Sequence, residues 1–148
     1  MKMKIIVQRV KNAKLEVNGE NLGEISTGLV CFCGFCETDT RDKFEFLARR
    51  IAGLRIFEDE AGKMNVNPDG AGADFMIIPN FTLYANCLDG FRPSFIKAMK
   101  PELAKPLFYD FVEFFKTKTS RKVVSGVFGA DMQITQHNDG PITLDIEI

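Results

Sequence analysis

The sequence predicts a single α+β domain: a mostly antiparallel sheet curled toward a barrel, with two main helices packed on it. Three observations carry this expectation. Short β-rich or alternating runs recur along the chain, only two segments show helical apolar spacing, and few strands are separated by helices. The 148 residues are of one-domain length, enough to bury a core without metal or disulfide staples. One domain is expected to span residues 1–148.

The elements follow in order. Residues 5–10 are β-rich, Leu15-Glu16-Val17 alternates, and Asn18-Gly19 is a two-residue hairpin signal. Residues 28–35 form a continuous apolar run, the pattern of a strand covered on both faces. Thr38, Asp39 and Thr40 are N-cap candidates for a helix over residues 41–52, where Phe44, Leu47, Ala48 and Ile51 recur at helical spacing and Gly53 ends the run. Residues 54–57 are a short strand candidate. Glu60-Ala61-Gly62-Lys63 and Asn67-Pro68-Asp69-Gly70 read as turns. A second apolar run covers residues 75–84, interrupted by Pro79-Asn80. Residues 86–100 read as an irregular loop. A second helix starts at Pro101 or Pro106 and runs to Thr117, with Leu107, Phe111, Phe114 and Phe115 on or near one face and Pro106 within its first turn or at its start. Residues 123–127, 132–136 and 142–148 are the closing strands.

Composition narrows the function classes. The formal net charge is −1, so any contact with a polyanion comes from a local patch or a few placed groups. Fourteen phenylalanines and no tryptophan point to a phenylalanine-based core. No stretch has membrane-spanning length and no signal peptide is evident, so a reducing, cytoplasmic setting with free thiols is expected. Cys31, Cys33 and Cys36 cluster, but a second ligand pair is missing and His137 is the sole histidine. The spacing favours small core residues on a strand face over a metal or redox site. No metal or cofactor is expected.

The run Asn138-Asp139-Gly140-Pro141-Ile142-Thr143 stands where a last strand should begin, yet it holds two strand breakers. A Gly-Pro pair there is a plain turn or a rigid piece of exposed main chain. Lys116-Thr117-Lys118-Thr119-Ser120-Arg121-Lys122 is the one dense basic stretch. Two readings stand for it: a solvated helix end whose cations suit the helix dipole, or phosphate contact through Lys118, Arg121 and Lys122.

Taken together, several segments resemble the D-aminoacyl-tRNA deacylase family, also called D-tyrosyl-tRNA deacylase. They are Gln8-Arg9-Val10, Leu54-Arg55-Ile56-Phe57, Gly62-Lys63-Met64-Asn65, Phe81-Thr82-Leu83, Gly90-Phe91-Arg92-Pro93-Ser94-Phe95, Phe128-Gly129-Ala130-Asp131-Met132 and the Asn138–Thr143 run. They fall in family order and span nearly the whole chain. The resemblance implies hydrolysis of the ester that joins a D-amino acid to the 3′-terminal adenosine of tRNA. It implies a homodimer with active sites at the subunit interface. Gly140-Pro141, joined by a cis bond, would reach into the partner's site as the chirality filter. Thr82 would face the substrate, with main-chain amides around Phe81 and Thr82 as the oxyanion site and the tRNA's own 2′-hydroxyl assisting. Arg9 would hold the Gly-Pro carbonyls, with Asn80, Asn138 and Met132 in support.

Such a filter works by steric exclusion: an L side chain would meet fixed backbone, whereas a D side chain would point outward. Glycine has no side chain to exclude, so glycyl-tRNA is an expected substrate. The family usually has Ser-Gln ahead of Phe-Thr-Leu, and here the pair is Pro79-Asn80. That departure favours the runner-up reading, a dimeric RNA- or nucleotide-binding module with weak or no catalysis. A third reading is a cysteine-dependent hydrolase using Cys36 or Cys87 with His137.

Overall fold

A computed structural model describes residues 2–148. The chain begins with a long strand, β1 (Lys4–Val17), followed by β2 (Glu20–Ile25) and β3 (Gly28–Gly34). A 3-10 turn at Arg41–Lys43 leads into α1 (Phe44–Ala52). Next come β4 (Phe57–Glu58), β5 (Met64–Val66), the single-turn α2 (Pro68–Ala71) and β6 (Asp74–Pro79). A second 3-10 turn at Phe81–Tyr84 precedes α3 (Pro101–Lys116), β7 (Val123–Ser125) and β8 (Met132–Glu147).

Six of the strands form one sheet in the order β2-β1-β3-β6-β7, with β8 paired to β1 along nearly its whole length, and β4 and β5 pair separately as an antiparallel ribbon. β1 is antiparallel to β2, β3 and β8, whereas β3–β6 and β6–β7 are parallel. The α+β class and the curled, mostly antiparallel sheet expected from the sequence are borne out. The two parallel ladders arise because α1 follows β3 and α3 follows β6. Each helix returns the chain to the end at which the preceding strand began.

The curl is visible at Gly23 of β2. A Cβ there would lie 2.6 Å from Val124 Cγ1 on β7, so the two ends of the sheet path touch. Two cores result. One lies between the sheet and the helices and holds Phe44, Leu47, Phe75, Phe108, Phe111 and Phe115. Each fully buried phenylalanine there contributes roughly 1.5–3 kcal/mol of transfer free energy. The other lies inside the curl and holds Val10, Leu15, Val30, Met76 and Ile78. The alternation of β3 sends Cys31 and Cys33 to the first core and Val30 and Phe32 to the second, so both faces are covered.

Some local expectations are corrected. Residues 54–56 are irregular and the short strand is Phe57–Glu58. The last two expected strands are one continuous strand, β8, because β1 is long enough to pair with both. Pro106 lies in the second turn of α3, with Pro101 at its first position. The bond it forgoes would go to the carbonyl of Glu102, on the solvent side of the helix. Thr82, which in isolation reads as a strand threonine, lies in a 3-10 turn because Pro79 and Asn80 end β6.

Candidate active site

Two features flank the sheet. The first is an outward spur in β8. Gln8 pairs with Thr143 and Val10 with Asn138, so Asp139, Gly140, Pro141 and Ile142 all stand against the single residue Arg9. Surplus residues leave the ladder and bend the strand. Gly140 has φ 135°, and a Cβ on it would lie 2.6 Å from the Ile142 nitrogen, so only glycine fits. The Gly140–Pro141 peptide bond is cis, and both residues are exposed.

Arg9 anchors the base of this spur. Its side chain is buried; Nε donates to the Asp139 carbonyl at 3.3 Å and Nη1 to the Ile56 carbonyl at 2.6 Å. The Asp139 carboxylate lies 3.4 Å from Nε and balances the buried charge. Arg9 thus grips the residue before Gly140. Beside it, Gln136 Nε2 donates to Gln8 Oε1 at 2.7 Å and to Asn138 Oδ1 at 2.6 Å, which places the Asn138 side chain at the spur. Met132 opens β8 and packs on the core inside the curl.

The second feature is the Phe81–Tyr84 turn at the end of β6. Asn80 caps it: Oδ1 accepts from the Thr82 amide at 3.2 Å and from Thr82 Oγ1 at 2.5 Å. The Asn80 amide donates to the Cys33 carbonyl at 2.7 Å and ties the turn to β3. Tyr84 is buried, and its hydroxyl donates to the Lys2 carbonyl and lies 3.3 Å from the Gly34 carbonyl. Burial pushes that hydroxyl's pKa well above its usual range, and Asp39 adds to the shift. Gly34 permits the close packing, since a Cβ there would sit 3.0 Å from the Tyr84 ring and 3.1 Å from the Asn80 carbonyl.

Chemically, the turn offers amides rather than a nucleophile. The Thr82 hydroxyl donates to an amide oxygen, which cannot remove its proton. The Thr82 amide is engaged by Asn80, and the Phe81 amide meets no acceptor among the described residues. Beside it opens an apolar cavity of about 470 Å³, lined by Pro79, Phe81, Phe95, Ile96, Met99 and Phe128. The exposed Phe81 and Phe95 rings meet edge to face with centroids 5.1 Å apart.

These two features do not meet within one chain. The spur lies level with Arg9, which pairs with Leu29, which pairs with Phe75. The turn lies beyond Pro79, which pairs with Cys33, four residues further along β3. That is about 13 Å along the strands and about 14 Å across three strand spacings.

The remaining candidates are placed as follows. Lys118 pairs with Glu45 at 3.0 Å. Arg121 donates to the Ala73 and Gly72 carbonyls and pairs with Asp74 at 3.0 Å. Lys122 Nζ donates to the Glu24 carbonyl at 2.7 Å. All three thus contact the fold. Cys31, Cys33 and Cys36 are buried, and burial pushes the Cys31 thiol up to about 12 and the Cys33 thiol well above its usual range. Cys87 is exposed. His137 stands opposite Asn12, whereas Gly34, two residues before Cys36, stands opposite Lys4. Eight positions of β1, about 27 Å of strand, separate those levels, and no Cys36–His137 dyad forms. Arg92 and Pro93 lie in an exposed loop closed by the Asn86–Ser94 bridge. Phe128 and Phe95 enter the cavity although neither was singled out as a site residue; their signal was membership of family-like segments.

Comparison with known proteins is consistent along the whole chain. The family described as D-Tyr-tRNA(Tyr) deacylase matches residues 6–147. A D-aminoacyl-tRNA deacylase from Desulfatibacillum aliphaticivorans is 44% identical over 98% of this chain and 99% of its own length. One from Clostridium tetani is 46% identical over 98% of this chain and 97% of its own length. A solved structure described as c-Myc DNA Unwinding Element Binding Protein superposes with a TM-score of 0.91 at 34% identity and covers 98% of both chains. The fold and these relatives define a hydrolytic enzyme, a deacylase. More particularly, the chain belongs to the D-Tyr-tRNA(Tyr) deacylase family.

Proposed function

We propose that this protein hydrolyses the ester between a D-amino acid and the 3′-terminal adenosine of tRNA, and that its active site is assembled from two copies of the chain. The observation that carries this reading is the separation of the spur from the turn. A Gly140-Pro141 main-chain projection has no use against its own sheet, but a twofold partner can receive it beside Phe81 and Thr82. The half-buried Ile142, Leu144 and Ile146 of β8 leave apolar surface for such a contact.

In this assembly the apolar cavity takes the adenine ring between Phe81, Phe95 and Phe128. The ester carbonyl lies against the open Phe81 amide. Water adds to that carbonyl, its hydroxyl joining the acyl carbon, and the Phe81 N–H stabilises the oxyanion. The C–O bond to the ribose then breaks, and the 3′-oxygen leaves with the proton that water supplied, relayed by the neighbouring 2′-hydroxyl. Thr82 positions the substrate. The spur presents backbone to the α-carbon, so an L side chain collides with it and a D side chain or hydrogen does not.

The test is deacylation of paired D- and L-tyrosyl-tRNA, with glycyl-tRNA alongside. D-tyrosyl- and glycyl-tRNA are expected to be cleaved and L-tyrosyl-tRNA spared; equal turnover of both enantiomers would defeat the reading. A second reading, a dimeric RNA- or nucleotide-binding module with weak or no catalysis, draws on the Pro79-Asn80 pair and on the structural relative described as a DNA-element-binding protein. Binding of tRNA without turnover of any of the three esters would favour it.

A further inference from the structure

The turn that presents Phe81 and Thr82 has a second cavity on its other side. This cleft, about 400 Å³, is lined by Lys2, Lys4, Lys97, Glu147 and the Leu83–Leu88 stretch that continues the turn. Ile96 walls the apolar cavity and the next residue, Lys97, walls the cleft, so one loop separates the two.

The charges in the cleft are unequal. Glu147 is committed to Lys4 at 2.9 Å, and this hydrogen bond holds the Lys4 ammonium above and the Glu147 carboxyl below their ordinary pKa values. Lys2 and Lys97 have no carboxylate within ion-pair distance among the described residues, in contrast to Lys14, Lys43, Lys116 and Lys118, although the Lys2 charge adds a little to the lowering of Glu147. Two ammonium groups outside any close ion pair thus share a cleft on a chain whose formal net charge is −1. On the same loop, Leu88 (92% exposed) and Phe91 (108% exposed) stand fully in solvent. Cations beside unpartnered apolar side chains are what a single-stranded nucleic acid uses: phosphates on the charges, bases against the flat or apolar groups.

We infer that this cleft binds the phosphates of the unpaired nucleotides immediately preceding the terminal adenosine, with Lys2 and Lys97 as the contacting groups. The inference rests on the deacylase reading and extends it: the adenosine occupies the apolar cavity, and the strand leading to it passes along the lysines. Lys4 serves the cleft indirectly, since its pairing with Glu147 keeps that carboxylate off the phosphates.

The test uses the double variant Lys2→Gln, Lys97→Gln, with Lys105→Gln, on the exposed side of α3, as a control for general charge loss. Binding of an unacylated RNA minihelix ending in an unpaired CCA strand is read by fluorescence anisotropy across a salt series. The double variant is expected to bind more weakly. Its plot of log affinity against log salt should be shallower by about 0.7 per lysine removed, the single-strand value. Lys105→Gln should leave that slope alone. In turnover, KM for D-tyrosyl-tRNA should rise, and the rise should vanish on 3′-O-D-tyrosyl-adenosine, which carries no phosphate. An unchanged slope, or an equal loss on tRNA and on the phosphate-free ester, overturns the inference. Failure of the wild-type protein to cleave either ester overturns the deacylase reading instead, because minihelix binding reports on the cleft without turnover.

Discussion

The Arg9 guanidinium bridges two carbonyls that are far apart in sequence, Ile56 at 2.6 Å and Asp139 at 3.3 Å, and so ties the base of the Gly140-Pro141 spur to the chain just before β4. A buried cation satisfied by main-chain oxygens is a positioning device. Its rigid planar fork holds both acceptors in a fixed geometry, whereas an ammonium is a compact point charge that does not.

Arg9→Lys keeps the charge and loses that geometry. Charge-assisted bonds of this kind contribute about 1.5–3 kcal/mol each, so the variant is expected to lose about 2 kcal/mol in urea unfolding. The larger effect should be on discrimination. The ratio of kcat/KM for D- over L-tyrosyl-tRNA should fall, because the spur loses its anchor. A variant with reduced stability and an unchanged ratio would leave Arg9 with a structural role only.

Asn80→Ala removes the cap from the Phe81–Tyr84 turn. Both Thr82 donors lose their acceptor, and a cap of this kind is worth about 1 kcal/mol. The freed Thr82 amide and hydroxyl no longer have a fixed orientation, so kcat should fall while the fold persists. Thr82→Ala should weaken activity without abolishing it, and no acyl-enzyme should accumulate on Thr82 under mass spectrometry of the quenched reaction.

How much of this was legible in the sequence differs between the two features. The α+β class followed from periodicity, and helical spacing marked the core-facing residues of α1, Phe44, Leu47, Ala48 and Ile51. The resemblance carried Arg9, Thr82 and Gly140-Pro141, but residue patterns alone left the Gly-Pro pair as either turn or spur. Only the register of β8 on β1, four residues against one, shows that it projects. The parallel ladders were missed because the helices that make them look, in sequence, like any helix between strands. Lys2 and Lys97 lie 95 positions apart in a chain of near-zero net charge, and nothing local marks them as neighbours.

Gly34→Ala probes the seat of the turn. The added methyl would press on the Tyr84 ring at 3.0 Å, the Asn80 carbonyl at 3.1 Å and Leu83 Cβ at 3.3 Å, so the turn must shift by a few tenths of an ångström. Misplacement of about 1 Å costs on the order of a hundredfold in rate, and this smaller shift should lower kcat by roughly tenfold. Overpacking should cost about 1 kcal/mol in thermal unfolding. A full-rate variant would show that the turn tolerates displacement.

The thiols separate hydrolysis at the turn from cysteine chemistry. Burial raises the Cys31 thiol to about 12 and Cys33 well above its usual range, so at pH 8 both are neutral and unreactive. Cys36 is buried as well, which leaves Cys87. Iodoacetamide at pH 8 should modify Cys87 in the native protein and all four cysteines after denaturation, as peptide mapping would show. Deacylation of 3′-O-D-tyrosyl-adenosine, which has no phosphates to place in the cleft that Cys87 lines, should survive the labelling. Raising the pH to 9 should leave Cys31 and Cys33 unmodified, since the Cys31 thiol is pushed up to about 12 and burial holds the Cys33 thiol well above its usual range. Loss of all activity on that phosphate-free ester after Cys87 is labelled would revive a thiol mechanism.

The strongest consequence of the proposed two-chain site is complementation. Thr82→Arg places a long side chain in front of the exposed turn of its own chain. Gly140→Ala forces a Cβ to within 2.6 Å of the Ile142 nitrogen and disrupts the spur of its own chain. Each variant alone carries the same defect in both sites of its dimer and should be nearly inactive. Mixed by co-refolding at equal amounts, half of the dimers pair one variant with the other. In each mixed dimer one site receives an intact turn from one chain and an intact spur from its partner. About a quarter of all sites are then restored, the proportion that random pairing in a twofold dimer requires. Recovery of about a quarter of wild-type turnover of D-tyrosyl-tRNA is the expected result. If turn and spur served one chain's own site, no pairing would place two intact halves together, and the mixture would stay as inactive as its components.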